Sequence, residues 1–398
     1  MTRPVAIAVA LAIPLALRAQ TPSTDGAPRI PLRAGLTIVT ALNDARGDYE
    51  SIKRVTDLNA TTMTVTYSTD VPLPDDTGPL AALLGNCQQS SSGSKKRVQG
   101  SVMRVVRRED LDRAHSYHQH FNICAESTES FPGTTALGVS SAVLKELNAQ
   151  GSSRLSVMSG GAAGALAGML GSLLGADTPE LAEVSMASGV LTRVERGTVP
   201  VRVIVNNMPV ELPAVHARGN LGDEAAEFWI LADEANPLSL RWSLADGRDR
   251  LQVIKLFYSD DPKPASNASE ATAAGASRIE RDLADTGTSV IYGIYFDFAS
   301  DRIKPESEEV LAEIATVMRQ HPAWSLSVDG HTDGIGGAAA NVDLSKRRAA
   351  AVKQALVTRY QIDANRLQTA GYGASRPKDT NDTIEGRARN RRVELRRQ

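Results

Sequence analysis

The sequence predicts an α+β protein in two unlike parts. Residues 36–258 form a β-rich region of unassigned fold, and residues 278–398 form a β-α-β-α-β-β module, a mixed sheet with its helices on one face. Three observations carry this reading. Before residue 258 the apolar residues alternate or run in short β-branched blocks separated by polar turns. Residues 259–277, "SDDPKPASNASEATAAGAS", are rich in Ala, Ser and Pro and lack apolar periodicity, as a linker does. Beyond them the apolar spacing switches repeatedly between the strand and helix periods.

The elements follow in order. "MTRPVAIAVALAIPLALRAQ" has Arg3, an apolar run from Val5 to Leu17 and small residues ending at Ala19. That is the layout of an export signal over residues 1–19, cleaved after Ala19. The run is shorter than the roughly 20 residues that span a bilayer. No Cys stands near the cleavage point, which argues against a lipid anchor. Export places Cys87 and Cys124, the only two cysteines, in an oxidising compartment, so a disulfide between them is expected. Residues 20–35 are loose. "TTMTVTYS" is a β-branched strand, and "VPVRVIVNNMPVEL" is a hairpin turning at Asn206-Asn207. "AEFWILADEANPLSLRWSL" and "RLQVIKLFY" are further strands, and "SAVLKELNAQ" is a helix.

Two features bound the class. The formal net charge of −2 gives no case for a nucleic-acid partner. Aromatics are 4% of the chain, too sparse for the girdles of a membrane barrel, so a soluble domain is expected. Leu155 to Ala176, "LSVMSGGAAGALAGMLGSLLGA", is uncharged and long enough to cross a membrane, but its six Gly and three Ser favour a flexible or buried helical hairpin.

In the last part, "IYFDF" places Ile294, Phe296 and Phe298 on one strand face. "PESEEVLAEIATVMRQHP" opens with Pro305 and acids, repeats Val310, Leu311, Ile314, Val317 and Met318 at helical spacing, and stops at Pro322. "WSLSVDG" alternates as a strand. "NVDLSKRRAAAVKQALVTRY" is the second long helix, with Asn341 as its N-cap. "RLQTAGYG" and "NRRVELR" close the sheet.

These residues resemble the OmpA-like C-terminal domain. The family's signature matches His331-Thr332-Asp333, Gly336, Asn341, Leu344-Ser345, Arg348-Ala349, Val352 and Leu356. Its closing segment matches Gly371, Gly373, Pro377, Asn381, Gly386, Arg387, Asn390 and Arg391. The likeness covers roughly the last 115 residues, and its many agreeing positions make it specific. It implies a non-catalytic cell-envelope protein without a cofactor, exported to the periplasm and associated with the cell wall or outer membrane.

Asn341, Leu344 and Arg348 share one helix face, and Asp333 ends the preceding strand near it. A carboxylate opposite a guanidinium, with small residues between, suits a zwitterion. The resemblance implies that the ligand is a peptidoglycan stem peptide held at a diaminopimelate-type residue, with Asp333 and Arg348 as prime contacts. Phe298 and Ala299 are expected to line the groove with Thr332, and Asn341, Leu344 and Arg391 to form its wall. The plain alternative is that Asp333 and Arg348 bond to each other as a structural pair. Outer-membrane or periplasmic proteins are candidate partners of the β-rich region.

Catalysis has weaker support. "HSYHQH" gathers His115, His118 and His120, half of the six histidines, but no acidic partner at metal-ligand spacing follows, so a polar patch is expected and no metal. The competing function is a cell-wall enzyme whose N-terminal region is catalytic and whose OmpA-like part only targets it.

Overall fold

A computed structural model of the chain describes residues 29–44, 47–72, 88–92, 95–119, 128–158, 186–206, 208–244, 247, 249–258, 278–297 and 299–398. The export signal, the linker, Cys87 and Cys124, His120, Phe298 and residues 159–176 of the Gly-rich stretch lie outside these residues.

The N-terminal region is strand-rich, and its described strands join in one large sheet. Strand Leu36–Asp44 pairs antiparallel with Gly47–Leu58 on one side and Asp249–Tyr258 on the other. The β-branched strand Thr62–Pro72 follows against Gly47–Leu58. Val199–Val205 and Met208–Leu221 form the expected hairpin, with Val205 opposite Met208. Its turn holds Asn206 at φ 46°, a left-handed conformation that Asn tolerates better than most residues. Val199–Val205 also pairs in parallel with Asp249–Tyr258. The ladder through Met208–Leu221, Glu224–Leu231, Ser239–Leu244 and Asp249–Tyr258 therefore returns to its start.

This closure encloses a core that includes Phe228, Leu240 and Trp242. The helix Ser141–Gln150 adds Val143, Leu144 and Leu147 to the same core. Ser140 caps that helix by accepting from Val143 N, and Gly151 ends it at φ 76°. The strand Ser152–Met158 covers the start of the Gly-rich stretch, so its first residues are sheet and not helix. Among the described residues, no helix is long and apolar enough to cross a membrane.

The C-terminal part is a four-stranded mixed sheet in the order Thr288–Ile291, Val393–Arg397, Leu326–Gly330, Leu367–Gly371. The last two run parallel, and the other neighbours antiparallel. Helices Glu308–Gln320 and Ala338–Thr358 share one apolar core with Leu326, Val328 and Leu395 of the sheet. The opposite side of the central strand buries Ser327 and Asp329 instead.

The first strand of this sheet is Thr288–Ile291, not "IYFDF". Ile291 pairs with Val393, the first residue of its neighbour, so nothing beyond it has a ladder partner and Phe296 makes only an isolated bridge to Ile303. Asn341 is not the N-cap, because the helix already starts at Ala338 behind Gly337. Ala338-Ala339-Ala340 form the first turn of the helix, as Ala, the best helix former, favours. Helices at 278–285 and Ile384–Asn390 are additional. The latter is short and polar in "IEGRARN", and it is held by Thr383, which accepts from Gly386 N at 3.1 Å.

Glycine makes the sheet-helix corner possible. A Cβ on Gly330 would stand 2.2 Å from the Ser345 carbonyl oxygen, and one on Gly371 would stand 2.4 Å from Lys346 N. The long helix thus lies directly on the ends of two strands, which fixes where the loop from residue 331 must emerge.

Candidate functional site: a charge cluster at the strand-helix corner

Asp333 leaves the end of Leu326–Gly330 on a loop that the fold clamps at several points. His331 N donates to Arg392 O at 3.1 Å and Thr332 N to Gly373 O at 3.0 Å. Gly334 N donates to Asn381 Oδ1 at 2.9 Å. Asn341, one turn into the long helix, points back and donates from Nδ2 to the carbonyls of Asp333 (3.3 Å) and Ile335 (3.0 Å). Asn381 in turn accepts from Asn390 Nδ2 at 2.9 Å. The matched Asn and Gly positions therefore build the loop that presents Asp333.

Asp333 pairs with Arg391, not with Arg348. Arg391 Nη1 donates to Asp333 Oδ2 at 2.6 Å, while Asp333 Oδ1 accepts from Ile335 N at 3.0 Å. Arg348 instead donates from Nε to the Ser300 carbonyl (2.9 Å) and from Nη2 to the Asp297 carbonyl (3.2 Å). Its guanidinium carbon lies 4.8 Å from the centre of the Phe296 ring. Ala299, at φ 49°, makes the turn that aims those carbonyls at Arg348. Thr332 is buried and donates to the Asp333 carbonyl, and Leu344 is half-buried on the long helix.

A fourth charge enters from outside the C-terminal part. Arg391 also bonds Glu50 of the N-terminal sheet, with Nε 3.1 Å from Glu50 Oε1 and Nη2 closing the pair. Sequence reasoning missed Glu50. It sits 341 positions from Arg391 and has no motif around it, so only the packing of the two parts reveals it.

Burial alone would raise the Glu50 carboxyl, but Arg391 and Lys255 outweigh it and hold the group down at about 2. Burial and the nearby Arg391 lower Arg348 to about 10, against the pull of Glu50 and Asp333. Arg391 is itself raised, because Glu50 and Asp333 overcome its burial. The four groups thus act on one another as one cluster of two acids and two bases. Charge-assisted bonds of this kind are about twice as strong as neutral ones. A carboxylate has about four lone-pair sites, so Asp333 can still accept from an ammonium group.

His331 stacks on Tyr372, with ring centres 5.3 Å apart and planes 19° apart; among the described residues neither ring nitrogen has a hydrogen-bond partner, and Nε2 lies 3.8 Å from Glu394 Oε2. Burial, assisted by Arg392, pushes its imidazole down to about 4. The fold therefore prefers the neutral ring. The resulting stability is complete above the unfolded value near 6.5 and is lost as pH falls from there toward 4. His331→Phe, which keeps the stacking and cannot titrate, is expected to remove roughly 3 kcal/mol of acid sensitivity across that window. Thermal unfolding of both proteins between pH 7 and 4 reads it; parallel curves would refute this role.

The two described histidines of "HSYHQH", His115 and His118, do not converge. His115 lies 3.0 Å from Glu146, whereas His118 is buried edge-to-face against Phe131, with ring centres 4.0 Å apart. Of the acids near the site, Asp297 pairs with Arg302 and Asp329 with Arg396.

The C-terminal part is similar to known proteins. The OmpA family model matches residues 295–391. The chain is 46% identical over 101 residues to outer membrane porin F of Pseudomonas aeruginosa, covering 25% of this chain and 29% of that protein. It is 46% identical over 101 residues to outer membrane protein A of Bordetella avium, covering 25% and 52%. It is 33% identical over 100 residues to the peptidoglycan-associated lipoprotein of Brucella melitensis, covering 25% and 59%. The chain thus spans less than two thirds of the length of each of these relatives. All three alignments involve about a quarter of the chain, and Asp333, Arg348 and Arg391 lie inside the span that the family model matches. Residues 295–391 form a domain of the OmpA family, which holds Asp333, Arg348 and Arg391 of the charge cluster, while Glu50 lies outside it.

Proposed function

We propose that this chain is a non-catalytic protein of the cell envelope that holds peptidoglycan non-covalently through its C-terminal domain. The ligand is a stem peptide with a diaminopimelate-type residue, whose free end carries an ammonium and a carboxylate. The observation that carries the reading is the juxtaposition of Asp333, on its clamped loop, with Arg391 and Arg348 within an OmpA family domain. The ammonium bonds Asp333, and the carboxylate bonds the guanidinium groups. Arg348 is oriented for this by the Ser300 and Asp297 carbonyls, which bond its Nε and Nη2 and not its Nη1. Thr332 and Asn341 hold the loop, and Leu344 with Ala299 forms the wall.

The relative named as a peptidoglycan-associated lipoprotein supports the ligand class. One module binds modestly, and the repeating polymer multiplies retention through many equivalent sites. Export through residues 1–19, a periplasmic location at the wall or outer membrane, and a Cys87–Cys124 disulfide complete the reading. The β-rich region, joined to the anchor through residues 259–277, serves other envelope proteins.

Each charge-assisted contact contributes about 1.5–3 kcal/mol, so Asp333→Ala and Arg348→Ala are each expected to weaken binding by roughly 10- to 150-fold. Pull-down on purified sacculi measures this. Unchanged retention in both variants would sink the reading. Release of soluble muropeptides by the N-terminal region would favour the enzymatic alternative.

A further inference from the structure

The two parts of the chain meet at the proposed ligand site. Val39, Ala41, Ile52 and Ile254 of the N-terminal sheet pack against Tyr295 and Ala388 of the C-terminal domain. Phe257 meets Tyr295 edge-to-face, with ring centres 6.1 Å apart. Lys255 Nζ crosses the boundary to the Tyr292 carbonyl at 2.9 Å. At the margin of this contact, Glu50 bonds Arg391 beside Asp333.

Charge counting identifies what Glu50 replaces. Within the C-terminal domain the cluster has one acid, Asp333, and two bases, Arg348 and Arg391. Of these three groups one positive charge is unmatched, and Glu50 answers it while also facing Lys255 of its own sheet. Glu50 supplies the missing charge as a carboxylate on Arg391, which is the chemical group that the zwitterionic ligand would bring. Uncompensated charge in a partly buried site is costly, so an anion is held there whichever part supplies it.

We infer that Glu50 is an internal stand-in for the ligand's carboxylate, so that the N-terminal sheet and the cell-wall peptide compete for Arg391 and the chain has a closed, self-occluded state. This rests on the proposed function and deepens it. Wall binding displaces Glu50 and loosens the contact between the two parts. The apolar patch of Val39, Ile52 and Ile254 is then uncovered only when the anchor is engaged. Occupation of the wall site is thereby coupled to exposure of a face of the β-rich region.

The test uses the full chain and a soluble disaccharide-tetrapeptide containing diaminopimelate. Glu50→Ala and the shape-conserving Glu50→Gln are each expected to bind it at least about tenfold more tightly than the unsubstituted protein. In Glu50→Ala/Asp333→Ala the gain should vanish, because it acts through the same site. Adding the peptide to the unsubstituted chain should speed hydrogen exchange in Leu36–Asp44 and Asp249–Tyr258. Glu50→Gln guards against a folding defect in Glu50→Ala, and circular dichroism checks both. If both Glu50 variants bind like the unsubstituted chain while Asp333→Ala still weakens binding, the self-occlusion fails and the anchor function stands. If neither the unsubstituted chain nor the Glu50 variants bind, both readings fall together.

Discussion

Gly330→Ala is expected to destabilise the C-terminal domain by about 3 kcal/mol, lowering its melting temperature by roughly 10–20 °C. The added methyl would lie 2.2 Å from the Ser345 carbonyl oxygen and 2.9 Å from its carbon. Both are backbone atoms inside a helix, so neither can turn aside as a side chain would. The helix must lift off the strand end, and lifting it moves Arg348 away from the loop of Asp333. Loss of sacculus retention is therefore expected to accompany loss of stability. Gly337→Ala is the control. Nothing lies within 4 Å of a Cβ there, and Gly337 has φ −75°, which Ala adopts freely. Calorimetry of the two variants reads the contrast. A Gly330→Ala protein that melts with the unsubstituted chain would show that the corner has slack.

The second large effect lies in the other part of the chain. Arg104, on the strand Lys95–Arg107, is 1% exposed. Its Nε and Nη2 donate to Glu129 Oε2 at 3.0 and 2.7 Å, and its Nη1 donates to the His118 carbonyl at 2.6 Å. The Glu129 side chain is itself only 9% exposed. Arg104→Met leaves that carboxylate buried without its guanidinium and is expected to cost about 3–5 kcal/mol. Adding Glu129→Met removes the buried carboxylate that faced Arg104, so the double variant is expected to recover much of the loss. Urea unfolding followed by the fluorescence of Trp242, which lies in the same core, measures each step. A double variant no more stable than the single one would mean that Arg104 acts by packing over Phe131, whose ring centre is 4.9 Å away, and not by charge.

How much of this was legible in advance depends on the range of the interaction. The hairpin at Asn206 and the helix Ser141–Gln150 could be read because turn residues, alternation and caps are local. The strand assigned to "IYFDF" could not. Its apolar alternation is genuine, but a strand also needs a partner, and the neighbouring strand begins at Val393 opposite Ile291. Asn341 was legible as a capping residue in type but not in place. It ties down the loop at Asp333 and Ile335 from inside the helix.

For the site, the sequence alone identified the family signature, the acid at the strand end and the base on the following helix, because these are fixed offsets along one stretch of chain. Tertiary structure alone decided which charges touch. It set Arg391 against Asp333, turned Arg348 to the carbonyls of Asp297 and Ser300, and brought Glu50 in from the distant sheet. The physical reason is that a carboxylate pairs with whichever guanidinium the packed surfaces bring within about 3 Å. Spacing along the chain carries no record of that distance once two separately built layers meet.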